Sequence, residues 1–421
     1  MAKDYGKLKE VSEKFTEETL KEIVLKVHKG QKVDNLNWCF DEANSKGDSY
    51  LSTVNKVKIV GNVDGKEIEV KIVVKSLPQN IGRRNTYRST EFFRNEILIY
   101  TKIFKEFEEF LNVKGQSELL CVPRHLASVM DGVNDYIALE DVTPLGYKPI
   151  CRQNCVNLSQ CIMILKAVAR FHAISFAYKD QKKEEFNKLV DNLKETYISD
   201  EHWDWYKRFH KRVLNIAINA LEMEYPDSEA EKRLKSYEFG ALYEKGIEFC
   251  TRRTHEPTSV ISHGDCWIPN FLAQDIDGNK ALMLDFQLAR CSSPVLDVSM
   301  FIYGCTDKSL WDEHFETFLR DYHNELSISI SLLGSDPEKL YPWDTFMNEV
   351  QEQFMLGATF SLEMIPFSLL DNSEAFDLDA IIKDDNAVNI DDVWTLSNIK
   401  TKDGRLRLAN IFVHAVENKF L

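Results

Sequence analysis

The sequence predicts an α+β protein of two lobes, in which a small antiparallel β-sheet lobe with a helix precedes a larger, mainly helical lobe. Strand-like runs in the first third are separated by Asp64-Gly65 and Asp131-Gly132, a dipeptide that strongly favours hairpin turns. From residue 158 onward the apolar residues recur mostly with helical spacing. Pro144 and Gly146 end the sheet and mark a hinge. We therefore predict lobes at 1–142 and 143–421.

Bulk composition excludes several classes of function. The 421 residues are 44% hydrophobic and 28% charged, which suits a folded protein with a sizeable core. A net charge of −15 argues against a nucleic-acid or anionic-membrane partner, since both require concentrated Lys and Arg. The polar start and the absence of a long apolar run predict neither a signal peptide nor a membrane span. Nine cysteines, an odd number, predict free thiols in the cytoplasm.

The first lobe begins with a predicted amphipathic helix over 7–28. Strands are expected at 36–40, 50–60 and 67–75, and Asp64-Gly65 closes a hairpin between the last two. The polar segment 44–48, which contains Gly47, lies between the first two strands. Asp131-Gly132 predicts a further hairpin between strands at 126–130 and 133–139.

Lys75 and Glu96 form a candidate ion pair in this lobe. Alternation along the strand 67–75 puts Lys75 on its more polar face. Glu96 falls among the apolar residues of a predicted helix over 90–104. A carboxylate on an apolar face needs a cation or a strong donor, and Lys75 is the natural partner. The alternative is that Glu96 reaches solvent.

The second lobe is predicted to be helical around 158–177, a segment that is apolar nearly all round and therefore central and buried. We interpret His172 as a hydrogen-bonded core histidine. The aromatic residues at 203, 205, 206 and 209 fit either an acceptor pocket or core packing. Eight acids and one lysine between Asp371 and Asp392 predict a solvated loop. Further helices are expected at 183–195, 201–224, 228–250, 311–333, 343–366 and 403–420.

The most informative stretch is the run from Ile261 to Asn270, which reads Ile-Ser-His-Gly-Asp-Cys-Trp-Ile-Pro-Asn. Two short strands follow, separated by Asp277-Gly278. A turn centred between these two residues would place Asn270 opposite Asp285, with Cβ atoms about 5 Å apart. An amide oxygen and a carboxylate at that separation suit Mg²⁺. Asp265 lies on the loop ahead of them, where it can meet a substrate hydroxyl.

An Asp, an Asn five residues later and a second Asp at a hairpin end form the kinase catalytic arrangement. Together with Gly47, Lys75 and Glu96 in order, this pattern resembles the ecdysteroid kinase-like family, which is related to choline kinases and aminoglycoside phosphotransferases. The resemblance extends from Gly47 to Asp297 and implies a protein kinase-like fold with ATP and Mg²⁺ as cofactors.

The resemblance also implies roles for single residues. Gly47 would belong to a loop over the nucleotide phosphates, and the backbone of Glu140 to Val142 would hold the adenine edge. Asp297 would brace the catalytic loop without taking part in the chemistry.

The predicted function is ATP-dependent phosphate transfer to a hydroxyl of a small molecule. Asp265 would act on the acceptor hydroxyl, Asn270 and Asp285 would hold Mg²⁺, and Lys75 would neutralise the α- and β-phosphates. Only 12 positions separate Asp285 from Asp297, which leaves little room for a segment that binds a protein substrate.

A small-molecule alcohol acceptor is therefore expected, and the resemblance implies a steroid or another bulky alcohol. Two alternatives stay open: a catalytically silent binding protein with this fold, and a choline- or aminoglycoside-type kinase. We expect a monomer.

Overall fold

The computed structural model describes residues 3–41, 51–251, 256–274, 280–371, 376 and 378–421. The chain forms two compact units. The first, called here the sheet unit, comprises Met1–Thr101, Pro123–Gly146 and Asp371–Val393. The second, called the helical unit, comprises Lys102–Val122, Tyr147–Leu370 and Trp394–Leu421. The predicted α+β class is confirmed, because an antiparallel sheet dominates one unit and helices dominate the other.

The sheet unit is built on five described strands that pair antiparallel in the order β1-β2-β3-β5-β4. The predicted hairpin at Asp64-Gly65 is confirmed, since Val63 pairs with Lys66 and both turn residues have positive φ, 49° and 76°. The strands are β1 Val33–Asp41, β2 Thr53–Val63, β3 Lys66–Ser76, β4 His125–Val129 and β5 Tyr136–Glu140.

The N-terminal segment forms two helices, α1 Tyr5–Val11 and α2 Glu17–Val27, so the prediction of one helix over 7–28 is wrong. Thr16 explains the break. Its side chain accepts a hydrogen bond from the backbone N–H of Thr19, and the Thr19 hydroxyl accepts one from the N–H of Thr16, so a new helix begins there. Both helices bury apolar residues in one core with the sheet.

The predicted hairpin at Asp131-Gly132 has a longer loop than a two-residue turn. The carboxylate of Asp131 accepts hydrogen bonds from the N–H groups of Val133 and Asn134. Asp135 in turn accepts from the N–H groups of Asp131 and Gly132. These side-chain bonds satisfy the loop backbone and delay the start of β5 to Tyr136.

The acidic segment between 371 and 393 is only partly a solvated loop over its described residues, since 383–389 are exposed and lack helix or strand. It also forms two short helices, α16 Leu378–Ile381 and α17 Ile390–Val393, in which Leu378, Ile390 and Val393 are buried whereas Ile381 is exposed. It packs on α3 Ile81–Tyr87, where a Cβ at Gly82 would lie 2.0 Å from the carbonyl oxygen of Asp384. Charge counting missed the two helices because buried apolar residues between the acids carry the packing.

The predicted helix over 90–104 continues further than expected. It runs through α4 Ser89–Leu98 and a π-helical turn Ile99–Ile103, and then α5 Phe104–Lys114.

The helical unit is organised around α6 Leu158–Gln181, and the prediction of a central buried helix is confirmed. By length and mean hydropathy, 1.4, α6 is the one helix among the described residues that could cross a membrane. However, 83% of that apolar window is buried inside the protein, as expected for a core helix, so it is weak evidence for a span.

The long helix Lys308–Leu332 packs along α6, and short strands lie between several of the other helices. The helices are α7 Lys183–Val190, α8 Trp203–Glu224, α9 Glu229–Ser236, α10 Ala241–Cys250, α11 Val295–Cys305, α12 Lys308–Leu332, α13 Pro337–Leu340, α14 Trp343–Gln353, α15 Met355–Ser368 and α18 Lys402–Glu417. The strands are β6 Lys148–Pro149, β7 Val260–Ser262, β8 Phe271–Gln274, β9 Lys280–Met283 and β10 Arg290–Ser292.

All nine cysteines lie in described residues and have free thiols. We predict that thiol titration of the denatured, unreduced protein will count nine. The native protein should react with fewer, because Cys161, Cys250 and Cys266 are buried whereas Cys151 is exposed. A count of seven or fewer under denaturing conditions would show a disulfide and contradict the free-thiol assignment.

Candidate active site

The loop after β7 carries His263, Gly264 and Asp265, and its path depends on the glycine. Gly264 has φ of +79°, and a Cβ there would lie 2.0 Å from the carbonyl oxygen of Leu288. Both facts restrict the position to glycine. The chain therefore turns sharply just before Asp265 and packs against the segment that follows Asp285.

Asp297, at the start of α11, holds this loop in place. Its carboxylate accepts hydrogen bonds from the N–H groups of His263 at 2.6 Å and Gly264 at 2.8 Å. The Nε2 atom of His172 lies 3.0 Å from the same carboxylate, and its Nδ1 lies 2.7 Å from the hydroxyl of Tyr322. Burial alone would raise the pKa of Asp297, but these bonds, led by that of His172, hold it below the usual value. His172 is thus a hydrogen-bonded core histidine, as predicted.

The His263 ring joins the loop to the second carboxylate segment. Its Nε2 lies 2.7 Å from the carbonyl oxygen of Leu284, which can only accept, so Nε2 carries the proton. Nδ1 is then free to accept from the N–H of Asp265 at 3.2 Å. Burial lowers the pKa of His263, which favours this neutral form. The ring positions the residues on either side of it.

Asn270 is in direct contact with Asp265. Its Nδ2 donates to the backbone oxygen of Asp265 at 2.9 Å and to the carboxylate at 2.8 Å. Asn270 is buried at the end of a short 3₁₀ turn, Ile268–Asn270. Burial and then the nearby charge of Asp285 raise the pKa of Asp265 to about 7. The Asp285 charge therefore acts on Asp265.

The register predicted for the following hairpin is wrong by one residue. Phe271 pairs with Met283, and the N–H of Leu284 donates to the oxygen of Asn270, so Asn270 faces Leu284. The turn residues Asp277 and Gly278 lie outside the described residues. Asp285 follows the ladder in a left-handed conformation with φ of 65°, which changes the chain direction after the last paired residue.

The donor set of this cluster fits a hard divalent cation. Asp285 supplies a carboxylate and Asn270 an amide oxygen, so both predicted metal ligands are oxygen donors. No group of three or more His, Cys, Asp and Glu that could hold a metal occurs in the described part of the chain. Few protein ligands, all of them oxygen, favour Mg²⁺ over a zinc-type site. A cation would also favour the charged form of Asp265, whose pKa is raised first by burial and then by the charge of Asp285.

The sheet unit contains the predicted Lys75–Glu96 ion pair. Lys75 Nζ on β3 lies 2.8 Å from Glu96 Oε2 on α4. Their side chains are 11% and 1% exposed, so the pair is almost fully desolvated. The alternative in which Glu96 reaches solvent is therefore wrong.

The structure describes only some of the other residues of this unit that were predicted to bind the nucleotide. Glu140 ends β5, and its carboxylate pairs with Arg124 at 3.5 Å. Val142 follows in the hinge, where its carbonyl accepts from the N–H of Leu145 at 3.0 Å. The Val142 N–H makes no hydrogen bond within the described residues. Gly47 lies outside the described residues.

Of the four aromatic residues predicted to line a pocket or to pack in the core, two are buried and two are partly exposed. Tyr206 and Phe209 are buried, and Tyr206 stacks on Tyr243 with centroids 5.3 Å apart. Trp203 and Trp205 remain half-buried. Sequence reasoning missed Glu363, whose Oε2 accepts a hydrogen bond from Tyr197 at 2.7 Å. A signal was present, because Glu363 is the one charged residue in the apolar helix α15.

A family profile described as the ecdysteroid kinase-like family matches residues 46–335, more than two thirds of the chain. The chain belongs to the ecdysteroid kinase-like family. The match contains Lys75, Glu96 and the whole Asp265 to Asp297 region, so this kinase-like family shares the segments described above. No curated protein matches the sequence significantly.

Solved structures similar to this family member include an ethanolamine kinase from Plasmodium vivax, with 14% identity and a TM-score of 0.41 over 100% of this chain and 98% of that one. A choline kinase from Streptococcus pneumoniae has 13% identity and a TM-score of 0.32, covering 84% and 98%. A microcompartment-associated aminopropanol kinase has 10% identity and a TM-score of 0.38, covering 95% and 98%.

Proposed function

We propose that this protein is an ATP-dependent phosphotransferase that transfers the γ-phosphate to a hydroxyl of a small molecule, a steroid or xenobiotic alcohol. The observation that carries the proposal is the partly buried contact between Asp265 and Asn270 on a loop fixed by Asp297. A carboxylate in that environment, with its pKa raised to about 7, can accept a proton at neutral pH.

In the proposed reaction Asp265 orients the acceptor hydroxyl and takes its proton. The acceptor oxygen forms a bond to the γ-phosphorus, and the bond from that phosphorus to the β–γ bridging oxygen breaks, which releases ADP. Asn270 and Asp285 would hold Mg²⁺, which when bound neutralises charge on the phosphates. Lys75, oriented by Glu96, would neutralise the α- and β-phosphates, and the Val142 N–H would bind the adenine edge.

The acceptor is proposed to be small. The chain from Asp285 to Asp297 contains only a 3₁₀ turn and β10 before α11 begins, so no long segment is available there to bind a protein. The nine free thiols support a cytoplasmic location. Nothing in this proposal requires a second subunit.

A screen of ATP consumption against steroids, phenolic glycosides, choline and aminoglycosides tests the proposal. We expect turnover with at least one alcohol, a product heavier by one phosphoryl group in mass spectrometry, and a kcat lower by roughly 10²-fold or more with Asp265→Asn. If the wild-type protein binds ATP but phosphorylates nothing in the panel, the silent binding protein becomes the better description.

The Lys75–Glu96 pair gives a separate prediction. Glu96→Gln should raise the KM for ATP, and Lys75→Met should raise it at least as much, because the lysine itself would meet the phosphates. The double mutant should be non-additive by roughly 0.5–3 kcal/mol, as for residues in direct contact.

The exposed pair Lys58–Glu69, 2.5 Å apart on neighbouring strands, is the matched control. Lys58→Met and Glu69→Gln, which each remove one charge of this pair, should leave the KM for ATP unchanged. Strictly additive losses at Lys75 and Glu96 would show that the two residues do not act together. Melting temperatures must accompany the kinetics, since removing one partner leaves the other charge buried.

A further inference from the structure

One face of α15 is less completely buried than the rest of the helix. Thr359, Glu363 and Phe367 are the most exposed residues of the helix, at 8%, 9% and 8%, whereas Ala358, Ser361 and Ile365 are 0% exposed. A spacing of four residues puts the first three on one side. This face is apolar except for Thr359 and the carboxyl of Glu363, so Glu363 is its one ionisable group.

Aromatic side chains surround Glu363. The hydroxyl of Tyr197 donates to its Oε2 at 2.7 Å. The Tyr197 ring lies 5.3 Å from that of Tyr206 and 5.6 Å from that of Trp205, between centroids. Further along the same face of α15, Phe367 packs against Phe209 at 6.1 Å. The carboxyl is therefore the polar group of an otherwise largely aromatic surface.

This surface contacts the segment that follows Asp285 in the helical unit. The segment that carries Tyr197 is held by an ion pair between Glu195 and Arg290 at 2.9 Å, and Thr196 donates to the oxygen of Gln287. Arg290 and Gln287 both follow Asp285 closely. These contacts, with the hydrogen bond from Tyr197 to Glu363, place Glu363 beside the segment that follows Asp285.

We propose that Glu363, with Tyr197, forms the acceptor-recognition site, in which the Glu363 carboxyl hydrogen-bonds a polar group of a neutral, hydroxylated acceptor with an apolar body. This inference rests on the proposed phosphotransferase function and names the residue that selects its acceptor. The aromatic surface binds the apolar body, while Asp265 lies near enough to meet a hydroxyl at the other end of the same molecule.

The protonation of Glu363 favours a neutral acceptor over a cationic one. Burial raises its pKa to about 8, and the charge of Asp265 adds to that effect against the hydrogen bond from Tyr197. The titratable groups that face it are Tyr197, Tyr206 on α8 and Asp265 on the catalytic loop. At neutral pH the carboxyl is mostly protonated, so it can donate one hydrogen bond and accept another. A fixed ammonium ion would instead require the carboxylate.

Calorimetric binding of ecdysone, a neutral polyhydroxylated steroid, to the full-length protein in the presence of ADP and Mg²⁺ tests the site without requiring turnover. Glu363→Ala should weaken binding by about tenfold or more, the scale of a lost hydrogen bond to a buried group. Glu363→Gln keeps a neutral donor and acceptor and should stay within about threefold of wild type. The KM for ATP should not change in either variant.

The pH dependence supplies a second readout. Because binding requires the protonated carboxyl, wild-type affinity for ecdysone should fall as pH rises through about 8, by about tenfold at pH 9. Glu363→Gln should show no such fall. A purely structural role for Glu363 would not produce this difference between the two proteins.

Glu349 on α14 provides a matched control, since it also accepts a hydrogen bond from a buried tyrosine, Tyr341, at 2.7 Å. Glu349→Gln should leave ecdysone binding unchanged. The inference is overturned if the wild type does not bind ecdysone, if Glu363→Ala binds it normally, or if choline binds instead and Glu363→Gln abolishes that binding. Failure of phosphate transfer with normal, Glu363-dependent binding would overturn only the proposed function.

Discussion

Replacing Asp265 by asparagine is expected to lower kcat by roughly 10²-fold or more while leaving the affinity for ATP–Mg²⁺ near normal. Asn270 and Asp285 remain in this variant, so the metal ligands are preserved. The new amide oxygen can still accept the hydrogen bond that Asn270 donates to the carboxylate at 2.8 Å. Only the capacity to take the acceptor proton is removed, and that capacity acts mainly in the transition state.

The measurement is a steady-state comparison with the best acceptor from the screen, together with ATP binding by calorimetry. Asp312→Asn is the control, because Asp312 forms an exposed pair with Lys308 on α12 and should affect neither quantity. Turnover of Asp265→Asn at close to the wild-type rate would show that another group accepts the proton. A parallel loss of ATP binding would instead indicate that Asp265 acts as a metal ligand.

Local patterns were sufficient to predict much of this arrangement. Strand alternation and helical spacing placed Lys75 and Glu96 on facing surfaces, because an acid among apolar residues needs a nearby cation. The Asp64-Gly65 turn was predictable since both residues must adopt positive φ. Each inference needed only residues close in sequence, or a single obligatory partner.

Other features depend on single residues or distant contacts that a pattern does not encode. The hairpin after Asn270 differs from its predicted register by one residue. As a result Asp285 lies just beyond the paired strands, where its backbone is left-handed. Glu363 meets Tyr197 across 166 positions of sequence. The acidic segment after Asp371 is fixed by packing on Gly82, which no local charge count predicts.

Asp285→Asn is expected to remove most Mg²⁺-dependent turnover, by roughly 10²-fold or more at ordinary Mg²⁺ concentrations, the scale of losing one electrostatic contact to the transition state. The proposed ligand set contains the Asp285 carboxylate and the Asn270 amide oxygen. Asparagine at 285 would leave two neutral amides to hold a divalent cation, which binds carboxylates more strongly.

The fold should survive this substitution, because asparagine is one of the few residues that adopt the left-handed conformation readily, and position 285 has φ of 65°. Asp285→Ala is the informative comparison, since alanine would lose the ligand and also strain the backbone. We expect Asp285→Asn to melt close to the wild-type temperature but to lose the stabilisation that ATP with Mg²⁺ gives the wild type. Near wild-type activity at ordinary Mg²⁺ would exclude Asp285 as a metal ligand, whereas a large drop in melting temperature without ligand would show that its role is structural.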